Sequence, residues 1–256
     1  MTGDGNWTYL IGDRNPVLID AGVGHASHLD AIAGAAPAGP SRVLVTHAHS
    51  DHIAGVAAIK SRWPDTTFMK FRWPSSTGYR EPAGHDAAAT WSWLEDGSIV
   101  ETDEGPLMAL HTPGHAPDHV TFWHADSRTL FVGDMLVKGS TVVIPASHGG
   151  SLAEYLRSLD RMLQLNPARA LPAHGPVIEE PAAIIHKYIA HRAEREAQVV
   201  DALGSNGASV DAIVAAIYPA LVDALVPMAK ESVLAHLQKL AGEGRARRDG
   251  DRWLAL

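Results

Sequence analysis

The run Thr46-His47-Ala48-His49-Ser50-Asp51-His52 puts four candidate metal ligands into six residues. Three more stand at wide intervals: His115 in His111-Thr112-Pro113-Gly114-His115, Asp134 after Phe131-Val132-Gly133, and His174 after Leu171-Pro172-Ala173. Five imidazoles and two carboxylates form a hard-to-borderline donor set. It suits zinc or iron, and with no thiolate it suits Cu(I) poorly. Seven ligands are too many for one tetrahedral ion, so the number argues for two ions that share a ligand. His47 and His49, two apart, reach one ion, which His115 completes. Asp51 and His52 point differently and serve a neighbouring ion together with His174. Asp134, after the glycine that ends a strand, is the bridging carboxylate. Two ions about 3.5–4 Å apart share a hydroxide that is nucleophilic at neutral pH, and they polarise the group under attack.

Composition narrows the class. The chain has 256 residues, enough for one large domain or a domain plus a small one. It is 46% hydrophobic, so a sizeable core can form. A formal net charge of −8 disfavours a general nucleic-acid-coating role, although a local basic patch remains compatible with it. The absence of cysteine excludes disulfides, thiolate zinc sites, iron–sulfur clusters and thiol catalysis, and it fits a cytoplasmic location. No apolar run reaches the roughly 18 residues of a membrane span. Met1 to Asn6 lacks the basic and apolar parts of a signal peptide.

Strands and turns must bring the scattered ligands together. Trp7 to Ile11 and Pro16 to Asp20 read as strands around the turn Gly12-Asp13-Arg14-Asn15. Residues 26–33 form a short helix before a Gly/Pro-rich break. Arg42 to Thr46 is a buried strand that delivers the His/Asp cluster at its C-terminal end, where open α/β sheets place their chemistry. Ile53 to Ser61 reads as one helix, with Asp51 near its positive end. Residues 62–96 hold many aromatics among Gly, Pro and Ser and read as short strands with a loop. Ser98 to Thr102, Leu107 to His111, His119 to His124 and Thr129 to Gly133 read as strands. Ser151 to Leu165 is a helix opened by the capping box Ser151/Glu154, with Leu152, Tyr155, Leu156, Leu159, Met162 and Leu163 on one face. Ala168 to Pro172 is a last buried strand leading to His174.

The composition shifts near residue 178. A long helix runs from Glu180-Pro181 to about Leu203. Helical patterns follow at 208–217 and 228–241, then a hairpin around Asp249-Gly250. Three helices and a hairpin are the layout of a winged helix. Expected domains are therefore 1–178 and 179–256.

The motifs resemble the metallo-β-lactamase superfamily in order and spacing over nearly the whole chain. The resemblance implies an αββα sandwich with a binuclear zinc site at one edge, two Zn²⁺ per chain. Trp91 to His115, Leu171 to Ile178 and His186 to Val199 further resemble the β-lactamase-like protein 2 group, which carries a C-terminal winged helix. Animal members of that group look like endoribonucleases for single-stranded RNA. The resemblance thus implies a zinc hydrolase using a metal-bridging hydroxide, with Asp51 steering it. RNA phosphodiesters come first as substrate. Small esters, thioesters or lactones, of the glyoxalase II or lactonase kind, come next, and β-lactams third. A mononuclear-iron persulfide dioxygenase and a non-enzymatic winged-helix binding module are the other classes. Family members usually carry another strand before the segment matching Asn6 to Leu10. Either Met1 is internal to a longer natural protein or that strand is absent.

Further residues take supporting roles. His119 serves catalysis by hydrogen-bonding a ligand or phosphate. Asp20 orients a metal-bound histidine, and His111 packs beside the site. His25, His28, His85, His124, His148, His186, His191 and His236 are structural or surface residues. Trp73 walls the cleft, whereas Trp91 and Trp93 belong to a core. Lys239, Arg245, Arg247, Arg248 and Arg252 make the terminal hairpin basic. That module either contacts RNA or, the preferred reading, shapes the substrate entrance or forms a homodimer. No membrane partner is expected.

Overall fold

Short, mostly apolar runs fold as strands with buried faces, and here they build two stacked sheets. The computed structural model describes residues 5–75, 78–82 and 89–256. The first sheet has the spatial order β1 (Tyr9–Ile11), β2 (Val17–Ile19), β3 (Arg42–Val45), β4 (Thr67–Phe71) and β5 (Trp91–Leu94). β1 pairs antiparallel with β2, and the rest are parallel. The second sheet runs β6 (Ile99–Val100), β7 (Leu107–His111), β8 (Val120–His124), β9 (Thr129–Gly133) and β10 (Arg169–Pro172). It is antiparallel except for the parallel pair of β9 and β10.

Side-chain alternation splits each strand between two cores. Val17, Ile19 and Leu44 point between the sheets and meet Leu107, Val120 and Phe122. Leu18, Val43 and Val45 point outward to α1 (Ala26–Ala35) and α3 (Val56–Arg62). On the opposite outer face, Leu110, Leu130 and Val132 meet α4 (Leu152–Gln164) and the first half of α5 (Pro181–Leu203). This is the αββα sandwich. α4 begins where Ser151 Oγ accepts the Glu154 N–H at 3.3 Å, the first half of the expected capping box.

The sequence predicts one helix over 53–61, and the structure corrects this. The helix begins earlier, as α2 (Ser50–Ile53), and breaks before α3. At the break, Gly55 N–H donates to Gly22 O at 2.8 Å. A Cβ at Gly55 would lie 2.1 Å from the Ala21 carbonyl oxygen, so only glycine permits this approach to the end of β2. Trp91 packs against the outer core, but Trp93 is exposed on the surface with the Arg72 guanidinium 4.0 Å above its ring. The core placement expected for Trp93 is thus overturned: it is one position from Leu94, which takes the inward face of β5.

The C-terminal part has its own core of Val199, Leu203, Ile213, Val233, Leu237 and Trp253. It comprises α6 (Val210–Ile217), α7 (Val226–Gly242), β12 (Ala246–Asp249) and β13 (Arg252–Ala255). A two-residue strand that the pattern did not reveal, β11 (Ala208–Ser209), pairs with β13 and completes a three-stranded wing. α5 contributes Ile185 and Tyr188 to the sandwich and Val199 and Leu203 to the wing.

Candidate metal centre

The C-terminal ends of β2, β3, β9 and β10 and the β7–β8 connection converge on one edge of the sandwich. They bring all seven predicted ligands together. His47, His49, His115 and Asp134 form one group; Asp51, His52 and His174 form another. Within the first, His47 Nε2 lies 2.9 Å from His49 Nδ1, and His49 Nδ1 lies 3.0 Å from His115 Nε2. His115 Nε2 is 3.4 Å from Asp134 Oδ2. In the second, His174 Nε2 is 3.2 Å from Asp51 Oδ2, and His52 Nε2 is 3.5 Å from the same oxygen. Asp134 Oδ1 lies 3.5 Å from His52 Nε2 and 3.3 Å from His174 Nε2. Asp134 therefore turns one oxygen to each group.

These separations test the fit to metal. Donors bound at 2.0–2.1 Å around a tetrahedral zinc stand about 3.3 Å apart, which is the spacing found. His52 Nε2 and Asp134 Oδ1 are also buried without a hydrogen-bond partner among the described residues. Orphaned polar atoms are costly, and a cation between them supplies what they lack.

A layer of partners behind the donors sets the tautomer of four of the five imidazoles. Asp20 Oδ2 accepts from His52 Nδ1 at 2.8 Å, and Asp20 Oδ1 accepts the Thr46 N–H at 2.8 Å. Thr46 Oγ1 donates to Asp20 Oδ2 and receives His47 Nδ1–H, each at 3.0 Å. His115 Nδ1–H donates to Val143 O at 2.9 Å, and His174 Nδ1–H donates to Gly5 O at 3.1 Å. In each case the outer nitrogen carries a proton, so the inner one is the nitrogen that can donate to a metal. Asp20 holds a left-handed backbone, φ 63°, which its position between strand end and histidine imposes. Thr46 carried no role in the sequence reading. The available signal was a hydroxyl at the end of an apolar strand, directly before a ligand.

His119 sits behind the donors rather than among them. Its Nε2 accepts the Asp134 N–H at 3.2 Å, and its Nδ1 pairs with Thr112 Oγ1 at 3.0 Å. Both ring nitrogens are engaged and the residue is fully buried, so it acts on Asp134 from behind. Of the two partners the sequence suggests, a ligand residue or a phosphate, it meets the ligand residue, through the backbone N–H. Gly133 permits this: a Cβ there would lie 2.7 Å from His119 Nε2. His111 stacks on Phe71 and stays outside both groups. His85 falls outside the described residues.

Charge follows the same geometry. Burial and the neighbouring imidazoles push His47 well down, and burial with His115 brings His49 to about 3. For His52, burial pulls down but the carboxylates of Asp20 and Asp134 prevail and raise it well above its ordinary value. Burial opposes ionisation of Asp134, yet His52, His115 and His174 hold it far below the usual carboxylate range. His174 is raised, first by its bond to Asp51.

Beside the first group lies a cavity of about 530 Å³, bounded by His49, His115, Trp73, Tyr79, Val143 and Pro145 and rimmed by Arg80 and His148. His148 is an exposed residue, as expected, and it stands at this cavity. Tyr79 OH donates to Ala146 O at 3.2 Å, and buried Lys70 pairs with Glu81. These contacts fix residues 78–82 against the cavity. Among the described residues no helix is long and apolar enough to cross a membrane.

Sheets and wing agree with known proteins. Residues 1–174 match the metallo-beta-lactamase superfamily, and residues 209–253 match the beta-lactamase associated winged helix domain. The chain belongs to the metallo-beta-lactamase superfamily of metal-dependent hydrolases, in the form that carries a C-terminal winged helix. A beta-lactamase-like protein 2 homolog of Drosophila melanogaster is 33% identical, covering 96% of this chain and 86% of its own. An atrochrysone carboxyl ACP thioesterase of Aspergillus chevalieri is 30% identical over 93% of this chain and 76% of its own. A metallo-beta-lactamase family protein from Thermus thermophilus superposes with a TM-score of 0.79, at 21% identity, covering 97% and 93% of the two chains.

Proposed function

We propose that this chain is a binuclear zinc hydrolase that cleaves the acyl bond of a bulky ester or thioester. His47, His49 and His115 would hold one ion, Asp51, His52 and His174 the other, and Asp134 both. Bound there, the ions would acidify a shared water and polarise the scissile carbonyl. Asp20, Thr46 and Val143 keep the imidazoles in the donor tautomer. Asp51, ionised and partly exposed, would orient the shared water, and the aromatic walls would pack against the acyl group.

The observation that carries this reading is the cavity of about 530 Å³ against His49 and His115, whose walls Trp73, Tyr79, Val143 and Pro145 suit an apolar acyl group. The thioesterase relative is named for the same bond class.

RNA cleavage is the second reading. Trp73 and Tyr79 with Arg80 at the rim could stack a base and meet a phosphate. The wing weakens it. Lys239 and Arg245 are tied to Glu196 and Glu243, and Arg252 donates to the carbonyls of Asn206 and Gly207. Arg247 faces Asp249, so of these five cations Arg248 and Arg252, which meet only backbone carbonyls among the described residues, keep uncompensated charge for a phosphate backbone.

The test is a panel of aryl and alkyl pantetheine thioesters, simple esters and labelled single-stranded RNA, with metal counted per chain. Thioester turnover lost in Asp134→Ala with two zinc ions per wild-type chain is the expected result. RNA cleavage without acyl turnover would reverse the order, and one iron per chain with thiol-dependent oxygen uptake would replace hydrolysis by dioxygenation.

A further inference from the structure

Residues 137–148 carry part of the site's wall, and the C-terminal helices hold them at three points. Tyr188 OH of α5 donates to Val137 O at 2.7 Å and accepts the Val137 N–H at 3.0 Å. Arg192 of α5 donates through Nη2 to the Val142 carbonyl. Glu231 of α7 accepts the Ser147 N–H at 2.8 Å and the Ser147 hydroxyl as well. The next carbonyl after Val142 belongs to Val143, and it takes the Nδ1 proton of His115. Tyr188 and Arg192 lie between the two stretches that match known families, 1–174 and 209–253.

Arg192 is the unusual member. It is 4% exposed, and among the described residues no carboxylate pairs with it. Its guanidinium lies 5.8 Å from the Tyr155 ring centroid, and Tyr155 packs against Gly114 beside His115. A buried unpaired cation is expensive, and an apolar side chain of similar volume would serve packing equally well. What an apolar side chain lacks is a donor for the Val142 carbonyl.

We propose that Arg192 is a positioning residue for the His115 half of the donor cluster. By fixing the Val142 carbonyl it holds the following peptide, whose Val143 carbonyl keeps the proton on His115 Nδ1 and Nε2 free toward His49 and Asp134. This rests on reading the cluster as a metal site. It also makes a C-terminal helix part of that centre.

The experiment uses full-length wild type, Arg192→Met and Arg192→Lys. Long-range proton–nitrogen NMR on the metal-free proteins reads the His115 tautomer, and competition titration reads the two zinc affinities. Wild type shows Nδ1-protonated His115. The Met variant shows a tautomer mixture and loses roughly 10–100-fold in one zinc affinity, with the other within about twofold. Lys, which donates without the planar fork, recovers most of both signals. An unchanged tautomer and unchanged affinities in the Met variant overturn the proposal. If the Met variant does not fold, Arg192→Gln, polar but too short to reach the Val142 carbonyl, takes its place: an unchanged tautomer and unchanged affinities overturn the proposal, and a tautomer mixture with loss in one zinc affinity upholds it. If the wild type binds no zinc but the tautomer still shifts in the variants, the positioning role stands and the metal reading falls.

Discussion

In the first group His47 and His115 are buried and His49 is partly buried beside the cavity, whereas in the second the His174 and Asp51 side chains reach water, 19% and 23% exposed, and His52 is buried. The first group is three neutral imidazoles whose backing comes from a hydroxyl and a backbone carbonyl. The second adds a carboxylate donor and a buried carboxylate behind it, Asp20. The difference teaches that one centre can be fixed in two ways. Burial forces neutrality on one side, and charge compensation holds the other.

Asp134 spans both, so Asp134→Ala should have the largest effect. Both metals should weaken beyond the roughly 10–100-fold that partners behind a ligand are worth, with activity lost; metal counting after dialysis against chelator checks this. Retention of one tightly bound ion would instead make the groups independent.

Asp20→Asn separates the groups. The second should lose the more affinity, by roughly 10–100-fold, and the first less, because it feels Asp20 only through the Thr46 hydroxyl behind His47; competition titration reads both. Equal loss at both would dissolve the distinction. Thr46→Val touches both sides, because its hydroxyl receives His47 and donates to Asp20. It should weaken both ions by about tenfold, the lower end for such partners, and a one-sided loss would show which contact matters.

The smallest effect lies in stability. Burial pushes the Asp118 carboxyl up to about 7, although Lys70 draws it down. Between its ordinary value and about 7 the folded protein keeps a proton that the unfolded chain has released. Stability should therefore be full in acid and fall as pH rises through that window. Asp118→Asn should flatten this decline in metal-free protein, seen as Tm against pH, with each kcal/mol worth roughly 2–4 °C. A decline equally steep in the variant would assign it to another group.

Much of this was legible in the sequence. Ligand types and spacing named the seven donors, and apolar runs ending at ligands named the strands that carry them. The break at Gly55 was not legible, since its cause is a carbonyl from β2 distant in sequence. Trp93 was misplaced because a strand pattern does not say which face an aromatic takes. His119 was legible as a hydrogen-bonding partner of a ligand residue, but not that the bond would fall on the Asp134 backbone N–H. Arg192 and Glu231 sit on helices whose pattern predicts only an apolar face; their contacts with residues 137–148 exist only after the helices dock.

α5 is shared between two cores. At 1.5 Å per residue, its 23 residues span about 34 Å, with Ile185 and Tyr188 at one end and Val199 and Leu203 at the other. Neither half of the protein owns this helix, and melting it in one core frays its anchor in the other. Such sharing couples sandwich and wing into one cooperative unit. Calorimetry should record a single unfolding transition, and a chain cut after residue 178 should expose the α4 face and aggregate rather than persist as a smaller enzyme.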